Sequence, residues 1–363
     1  MFNIKKQIRN IYAISAFGSF QIAGASWVVL LAARGFSLVE IGIAESVFHV
    51  ASLLFEIPSG VISDVFGRKK SMIMSQCMFI ISALFMMLSE SMAGVYLALV
   101  LDALGYNFAS GAREALAYDS LKKAGEEERY DKYASTEMMI YRIGNASATL
   151  CAGLALVIGY KKAYFIDIVL GVLCLYFSFS LKEVLADEKK SDKNIAERIL
   201  KCVKESVGFL IHNHRATRLM LWNAFIGAIA TLVCFFLQAE LKEAGVTESL
   251  LGPALFVIGL GGAAGAKLVQ YFSGWKYSKI SVMCVLGVVL GALSVVTGYP
   301  LIMCLGGFVA SLFDDLLQVR SDILLNQMIP SSQRATLISV ASLCFSVVMI
   351  VLSPAMGWVF SLL

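Results

Sequence analysis

The stretch Gly60-Val61-Ile62-Ser63-Asp64-Val65-Phe66-Gly67-Arg68-Lys69-Lys70 sets two glycines, one acid and three bases between two long apolar runs. Glycine permits a tight turn and close backbone approach, and bases clustered beside an apolar run favour the cytoplasmic side of a membrane. The stretch therefore reads as a loop at a membrane surface. Asp64 needs a cation or a helix N-terminus there as its partner.

Outward from this loop the chain stays apolar. Of its 363 residues 58% are hydrophobic and only 15% charged, with a mean hydropathy of +0.77; soluble domains carry about 25% charged residues. The composition is that of an all-α integral membrane protein. At ~20 residues per span, the length accommodates about eleven transmembrane helices with short connections and no separate soluble domain. A net charge of +4 gives no ground for nucleic-acid binding. Seven of the eight cysteines fall in apolar runs without Cys-x-x-Cys or Cys/His spacing, so they read as packing residues and not as a metal or redox centre.

Lys5, Lys6 and Arg9 place the N-terminus in the cytoplasm by the positive-inside rule. Residues 1–181 are expected to form an N-terminal six-helix half, residues 182–218 a charged cytoplasmic linker, and residues 219–363 a C-terminal half with about five helices. Within the linker Ile195, Ile199, Val203, Val207 and Leu210 recur at helical spacing. That pattern suits either a helix lying in the membrane interface or a solvated linker helix.

Ionisable side chains inside spans are functional candidates by default. In helix two Glu45, His49, Ser52 and Glu56 follow at intervals of four, three and four, one stripe about 60° wide. A His between two carboxylates can relay protons near neutral pH; the alternative is a hydrated Glu45 and a Glu56 that holds an arginine. Helix four puts Asp102, Tyr106 and Arg113 on a common face, and helix five brings Glu137, Tyr141, Arg142 and Asn145. Asp102 and Arg142 reach similar depth, as an ion pair that either lines a cavity or serves as glue. Gln21 and Trp27 in helix one, Asn223 in helix seven, and Asp314, Asp315 and Gln318 in helix ten complete the candidate substrate cavity. Asp315 and Asp322 share a face seven residues apart, with Arg320 as nearest counter-ion.

The opening stretch resembles the loop between the second and third helices of major facilitator superfamily transporters, whose pattern runs Gly-x-x-x-Asp-x-x-Gly-Arg-Lys. A second match is the turn Ile329-Pro330-Ser331-Ser332-Gln333-Arg334-Ala335-Thr336, which resembles the Pro-x-x-x-Arg-Ala-Thr start of helix eleven in that superfamily. The loop Gly274 to Lys279 falls where a second copy of the first motif belongs and lacks its acid and Gly-Arg-Lys core. The resemblance implies two rocking six-helix halves, with the twelfth helix expected to be absent here, alternating access, and an ion gradient instead of a bound cofactor; with no metal-ligand cluster, phosphate loop or Ser/His/Asp set in the sequence, no enzymatic activity is expected. It also implies a conformational gate built from Gly60, Asp64, Gly67, Arg68 and Lys69 with Asp119 at the end of helix four and Arg334.

Phe55 to Gly60 and Gly111 to Asp119 look most like bacterial drug-efflux members. The expected function is proton-coupled export of a small amphipathic molecule by a monomer in the bacterial plasma membrane. Against export, helix five has Gly144 and Gly153 but no proline, so the antiporter pattern is not met. Proton-coupled uptake of a nutrient or metabolite, or a transporter-like sensor, are the other readings.

Overall fold

The computed structural model describes residues 2–184, 195–272, 274–328 and 334–362, without the side chains of residues 326 and 334–338. Among the described residues there is no strand. The first helices are α1 (Ile4–Ser19), α2 (Ile22–Ala25), α3 (Trp27–Ala33), α4 (Leu38–Phe66), α5 (Arg68–Leu88) and α6 (Met92–Ala109). Next come α7 (Ala112–Lys123), α8 (Tyr130–Leu150), α9 (Ala152–Ile158), α10 (Tyr160–Ser180) and α11 (Ile195–His212). The last are α12 (His214–Glu243), α13 (Glu248–Leu268), α14 (Tyr277–Leu293), α15 (Pro300–Met328) and α16 (Arg334–Phe360). Hydrocarbon offers peptide groups no partner, so each segment must satisfy its own backbone, and helices do this.

Nine of the helical stretches among the described residues are long and apolar enough to cross a membrane, and α8 with α9, bent by 47°, makes a tenth. The first expected span is not one helix but α1, α2 and α3. Its break at Phe20–Gln21 frees backbone N–H groups, and Asp167 of α10 takes them over. Ile22 N donates to Asp167 Oδ1 (2.8 Å) and Gly24 N to Oδ2 (2.9 Å). The fourth expected span is likewise divided, between α6 and α7, at Gly111, whose φ of 71° lies in the left-handed region.

The opening stretch is helix on both sides of a single joint. α4 runs on to Phe66, so Gly60 sits within a helix rather than in a turn, and only Gly67 is non-helical. Gly67 has φ 103°, and a Cβ there would run into the carboxylate of Glu183. That carboxylate accepts from Arg68 N and Lys69 N, both at 3.0 Å. An acid thus caps the N-terminus of α5, where it also meets the positive end of the helix dipole.

By contacts the chain forms two compact units, and these do not follow chain order. The first comprises Met1–Ala25, Ala51–Ala148 and Ile158–Lys204; the second comprises Ser26–Val50, Thr149–Val157 and Glu205–Leu363. The division into 1–181, 182–218 and 219–363 is a partition by repeat, which contacts do not address.

In the first unit Ile11, Ile14, Met72, Leu116, Leu121, Tyr133, Cys174 and Leu181 form a core joining α1, α5, α7, α8 and α10. In the second, Phe209, Met220, Leu325 and Cys344 form one cluster, and Ile226, Ile280, Val288 and Leu317 another. Small residues bring backbones together there: a Cβ on Gly261 or Gly265 of α13 would strike the carbonyl of Phe308 or Leu312 in α15, the small-residue packing usual between helices in lipid. Ser26–Val50 joins this unit through the same device. Gly42 lies on the backbone of Ser353, and Gly357 on that of Leu38.

The linker helix α11 exposes Leu200, Val203, Val207 and Ile211 and buries Ser206 and Phe209. The apolar stripe expected from residue 195 to 210 is therefore split: Val203 and Val207 face outward, and Leu210 is half-buried against the core.

Two stability tests follow from the joints. Gly67→Ala forces a left-handed alanine against Glu183, a cost of order 1–3 kcal/mol, and lowers the melting temperature in detergent. Gly60→Ala meets open space and gains helix propensity, so it leaves the melting temperature level or higher. Asp167→Ala orphans two backbone N–H groups at about 1–3 kcal/mol each; a thermal melt no lower than that of the parent would contradict the capping role.

Candidate functional site

Around the Gly67 joint the first unit assembles most of the expected gate residues. Arg68 Nη1 forms an ion pair with Asp119 of α7 and also donates to the carbonyl of Ala115 at 3.0 Å. Lys69 Nζ donates to the carbonyl of Phe179 at 2.9 Å. Asp64 is not part of that cluster; its carboxylate lies 3.6 Å from Arg198 Nη2 on α11. The residues Ile329 to Gln333 and the side chain of Arg334, the expected second half of the gate, lie outside the described residues.

The helix-two stripe divides between different surroundings. Glu45 Oε1 is 3.2 Å from His49 Nε2, one turn away on α4. His49 Nδ1 shares a 3.2 Å hydrogen bond with Ser346 Oγ of α16, and its ring meets Phe345 edge-on at 5.6 Å. Further along α4, in the first unit, Ser52 donates to Asn107 Oδ1 (3.0 Å), Asn107 Nδ2 donates back to the Ser52 carbonyl (2.9 Å), and Glu56 is half-buried. Glu45 and His49 are thus in contact, and Glu56, eleven residues from Glu45, is on the same helix outside that contact.

The helix break at Gly111 changes the register on which Arg113 was placed beside Asp102 and Tyr106. Arg113 belongs to α7, where Nη1 lies 3.2 Å from Glu137 Oε1 and donates to Ser15 Oγ at 3.1 Å; Ser15 Oγ donates to Glu137 at 2.8 Å. Arg113 Nε lies 3.6 Å from Glu114 Oε1, and among the described residues neither Arg113 Nε nor Glu114 Oε2 has a hydrogen-bond partner. Tyr106, Tyr141 and Arg142 are exposed and Asp102 is half-buried. Gln21 sits at the α1–α2 break, and Trp27 stands edge-on to Phe235 at 5.9 Å.

The second unit encloses a cavity of about 300 Å³ between α12, α15 and α16. Its polar lining is Asn223, Thr231, Asp314, Gln318, Asp322 and Ser342; Met220, Ala224, Leu325 and Phe345 are among the apolar residues. Gly227 admits Asp314, whose Oδ1 would be 3.3 Å from a Cβ there. Asp315 is turned the other way, its carboxylate against Gly262 of α13. The acids that share the cavity are therefore Asp314 and Asp322, eight residues apart; Asp315, expected there with Asp314, lies against α13 instead. Arg320, expected as the counter-ion of Asp315 and Asp322, donates from Nη2 to the Trp275 carbonyl at 3.4 Å.

Asn223, Asp314 and Gln318 were candidates from sequence, and Thr231 and Ser342 were not. Hydroxyls in spans are too common to single out without packing. Asp167 and Glu183 were also missed. Asp167 had a usable signal, since it is a lone acid inside an apolar run; Glu183 looked like one of many linker charges.

Comparison with known proteins bears on the whole assembly. Residues 10–297 match the model of the Major Facilitator Superfamily. The chain is 24% identical over 240 residues to the MFS-type transporter YxaM of Bacillus subtilis (strain 168), covering 65% of this chain and 58% of that one. It is 25% identical over 171 residues to a transporter of Buchnera aphidicola subsp. Schizaphis graminum, covering 47% and 42%. The matched regions thus span about half the length of these relatives. Among solved structures, a point mutant of the nucleoside transporter NupG superposes with a TM-score of 0.79 at 12% identity, covering 99% of this chain and 96% of that one. A D-xylose–proton symporter superposes with a TM-score of 0.67 at 11% identity, covering 98% and 88%. At these identities the structures show the fold, and the family match over more than half the sequence shows the membership: this multi-pass membrane protein belongs to the Major Facilitator Superfamily.

Proposed function

We propose that the chain is a proton-coupled secondary transporter that works by alternating access on a small amphipathic solute. The acidic cavity of the second unit carries this reading. About 300 Å³ falls at the lower end of the range for small-molecule pockets. Asn223, Gln318 and Thr231 offer hydrogen bonds, and Met220, Leu325 and Phe345 offer apolar surface. Among the described residues none of the cavity's lining is basic, so a solute bearing a cation or several N–H or O–H donors suits Asp314 and Asp322. A proton and such a solute compete for the same carboxylate, which is the simplest form of exchange and supports export. Glu45 and His49, in contact, supply a second protonatable pair for the coupling path.

Uptake is the second reading, favoured by the named activities of the fold neighbours, a nucleoside transporter and a xylose–proton symporter. A neutral polyol or nucleoside would use the amides and Asp314 as acceptors and travel with the proton. In both readings the protein is a monomer in the bacterial plasma membrane with its N-terminus in the cytoplasm, and the two repeat halves are residues 1–181 and 219–363. Gly60, Asp64, Gly67, Arg68, Lys69, Asp119 and Arg334 form the gate.

Proteoliposomes under an imposed pH gradient separate the alternatives, because export by exchange moves solute against the proton flow and uptake moves it along. Loss of one hydrogen bond to a charged group, ~1.5–3 kcal/mol, predicts about 10- to 100-fold weaker solute binding in Asp314→Asn. The Asp315→Asn variant, facing α13, should keep solute affinity; equal losses in both would place the solute elsewhere. For the gate, Arg68→Gln and Asp119→Asn should each slow transport, and the double variant should be no slower than either single. Additive losses would show that the pair does not act as a unit.

A further inference from the structure

On α15 the polar residues of the acidic cavity recur at an interval of four: Asp314, Gln318 and Asp322. That spacing keeps them on one face of the helix. At 1.5 Å per residue each step rises about 6 Å, so the two acids stand about 12 Å apart along the axis with an amide midway. The facing helix α12 runs the other way. Asp314 is level with Gly227, and Leu325, just beyond Asp322, belongs to one cluster with Met220 and Ala224. The cavity is therefore long, and a carboxylate stands at each of two separate levels.

Its girth is small. A volume of about 300 Å³ spread over that length leaves a cross-section of at most about 25 Å², room for a single unbranched chain. The rest of the wall is apolar or small, with Met220, Ala224, Gly227, Leu325 and Phe345. Gly227 matters to this shape, because a Cβ there would come within 3.3 Å of Asp314 Oδ1 and 3.8 Å of Phe345 Cε2. Among the described residues no side chain hydrogen-bonds to Asp314 or offers it a counter-ion.

A carboxylate set in an apolar wall is costly until a cation or several donors compensate it. A monocation reaches only one of two carboxylates this far apart. A dication with its charges at the same spacing reaches both, and a neutral polyol supplies neither charge. Eight methylenes between two nitrogens span about 11 Å when extended, and a triamine of that length carries a further N–H near its middle, at the level of the Gln318 amide.

We propose that the solute is a linear diamine or triamine, bound with one ammonium on Asp314, the other on Asp322, and its methylenes along Met220, Ala224 and Phe345. This rests on the acidic cavity being the solute site, and it narrows the solute from an amphipathic molecule to an unbranched chain charged at both ends. Length selects the solute as much as charge does, since a shorter diamine leaves one carboxylate unreached.

The test titrates the whole chain in detergent, by isothermal calorimetry, with spermidine, octamethylenediamine, trimethylenediamine and octylamine. The two long amines should bind at least tenfold more tightly than the short diamine or the monoamine, because one charge-assisted hydrogen bond is worth about 10- to 100-fold. Asp322→Asn should remove most of the gap between octamethylenediamine and octylamine, and Asp322→Glu, which keeps the charge, should retain it. Thermal melts of each variant, matching the parent, verify folding. Octylamine bound as tightly as octamethylenediamine would overturn the proposal; if Asp314→Asn still weakened both, the acidic cavity would stand as the solute site for another class of molecule. A gap that survives Asp322→Asn would overturn it too, as would the absence of binding by all four amines. Binding that neither Asp314→Asn nor Asp322→Asn alters would overturn both the diamine and the cavity.

Discussion

An unpartnered peptide group costs several kcal/mol in hydrocarbon, and that constraint decides where the spans can be interrupted. Two interruptions are built around a carboxylate. Asp167 accepts the N–H groups of Ile22 and Gly24 at the break in the first span, and Glu183 accepts those of Arg68 and Lys69 at the Gly67 joint. Both acids come from α10 or the four residues after its end, so one helix organises both joints. The first break is what separates α1 from α2. The second is what turns α5 so that Arg68 meets Asp119.

Much of the fold was legible because its signals are local. Long apolar runs gave the spans, and the Gly-x-x-x-Asp-x-x-Gly-Arg-Lys pattern gave the family. The interruptions were not legible. Phe20 and Gln21 carry no proline or glycine pair, and the break depends on Asp167, about 145 residues away. Gly111 gives no more warning in sequence, yet its left-handed backbone shifts Arg113 off the face of Asp102 and onto Glu137. Periodicity extrapolated across an unseen joint assigns every later residue to the wrong face. In helix ten no joint intervenes, and adjacent Asp314 and Asp315 point to different neighbours: the cavity for one, Gly262 for the other.

Glycine placement explains how the acidic cavity survives in a tightly packed unit. Gly261 and Gly265 let α13 and α15 approach backbone to backbone, and Gly262 leaves room for the Asp315 carboxylate within that contact. Gly227 performs the corresponding service for Asp314 on α12. Residues without side chains thus stand opposite acids, and larger residues such as Phe345 and Met220 close the rest of the lining. An alanine at either glycine would push a carboxylate from its position before it disturbed the helix.

The two ion pairs near the family motif differ in how firmly they can hold a conformation. Arg68 and Asp119 keep 24% and 10% of their side-chain surface exposed, whereas Arg198 and Asp64 keep 29% and 56%. An exposed pair contributes about 0–1 kcal/mol because water and salt screen it. Breaking a buried pair by removing one partner costs about 3–5 kcal/mol, since the survivor is left without compensation. Arg68 also holds the Ala115 carbonyl, which the Asp64 pair cannot match. In the gate proposed above, Arg68–Asp119 is therefore the element that locks α5 to α7. Asp64–Arg198, more exposed and at 3.6 Å, is the weaker of the two and serves as a loose tether between the linker helix and α4.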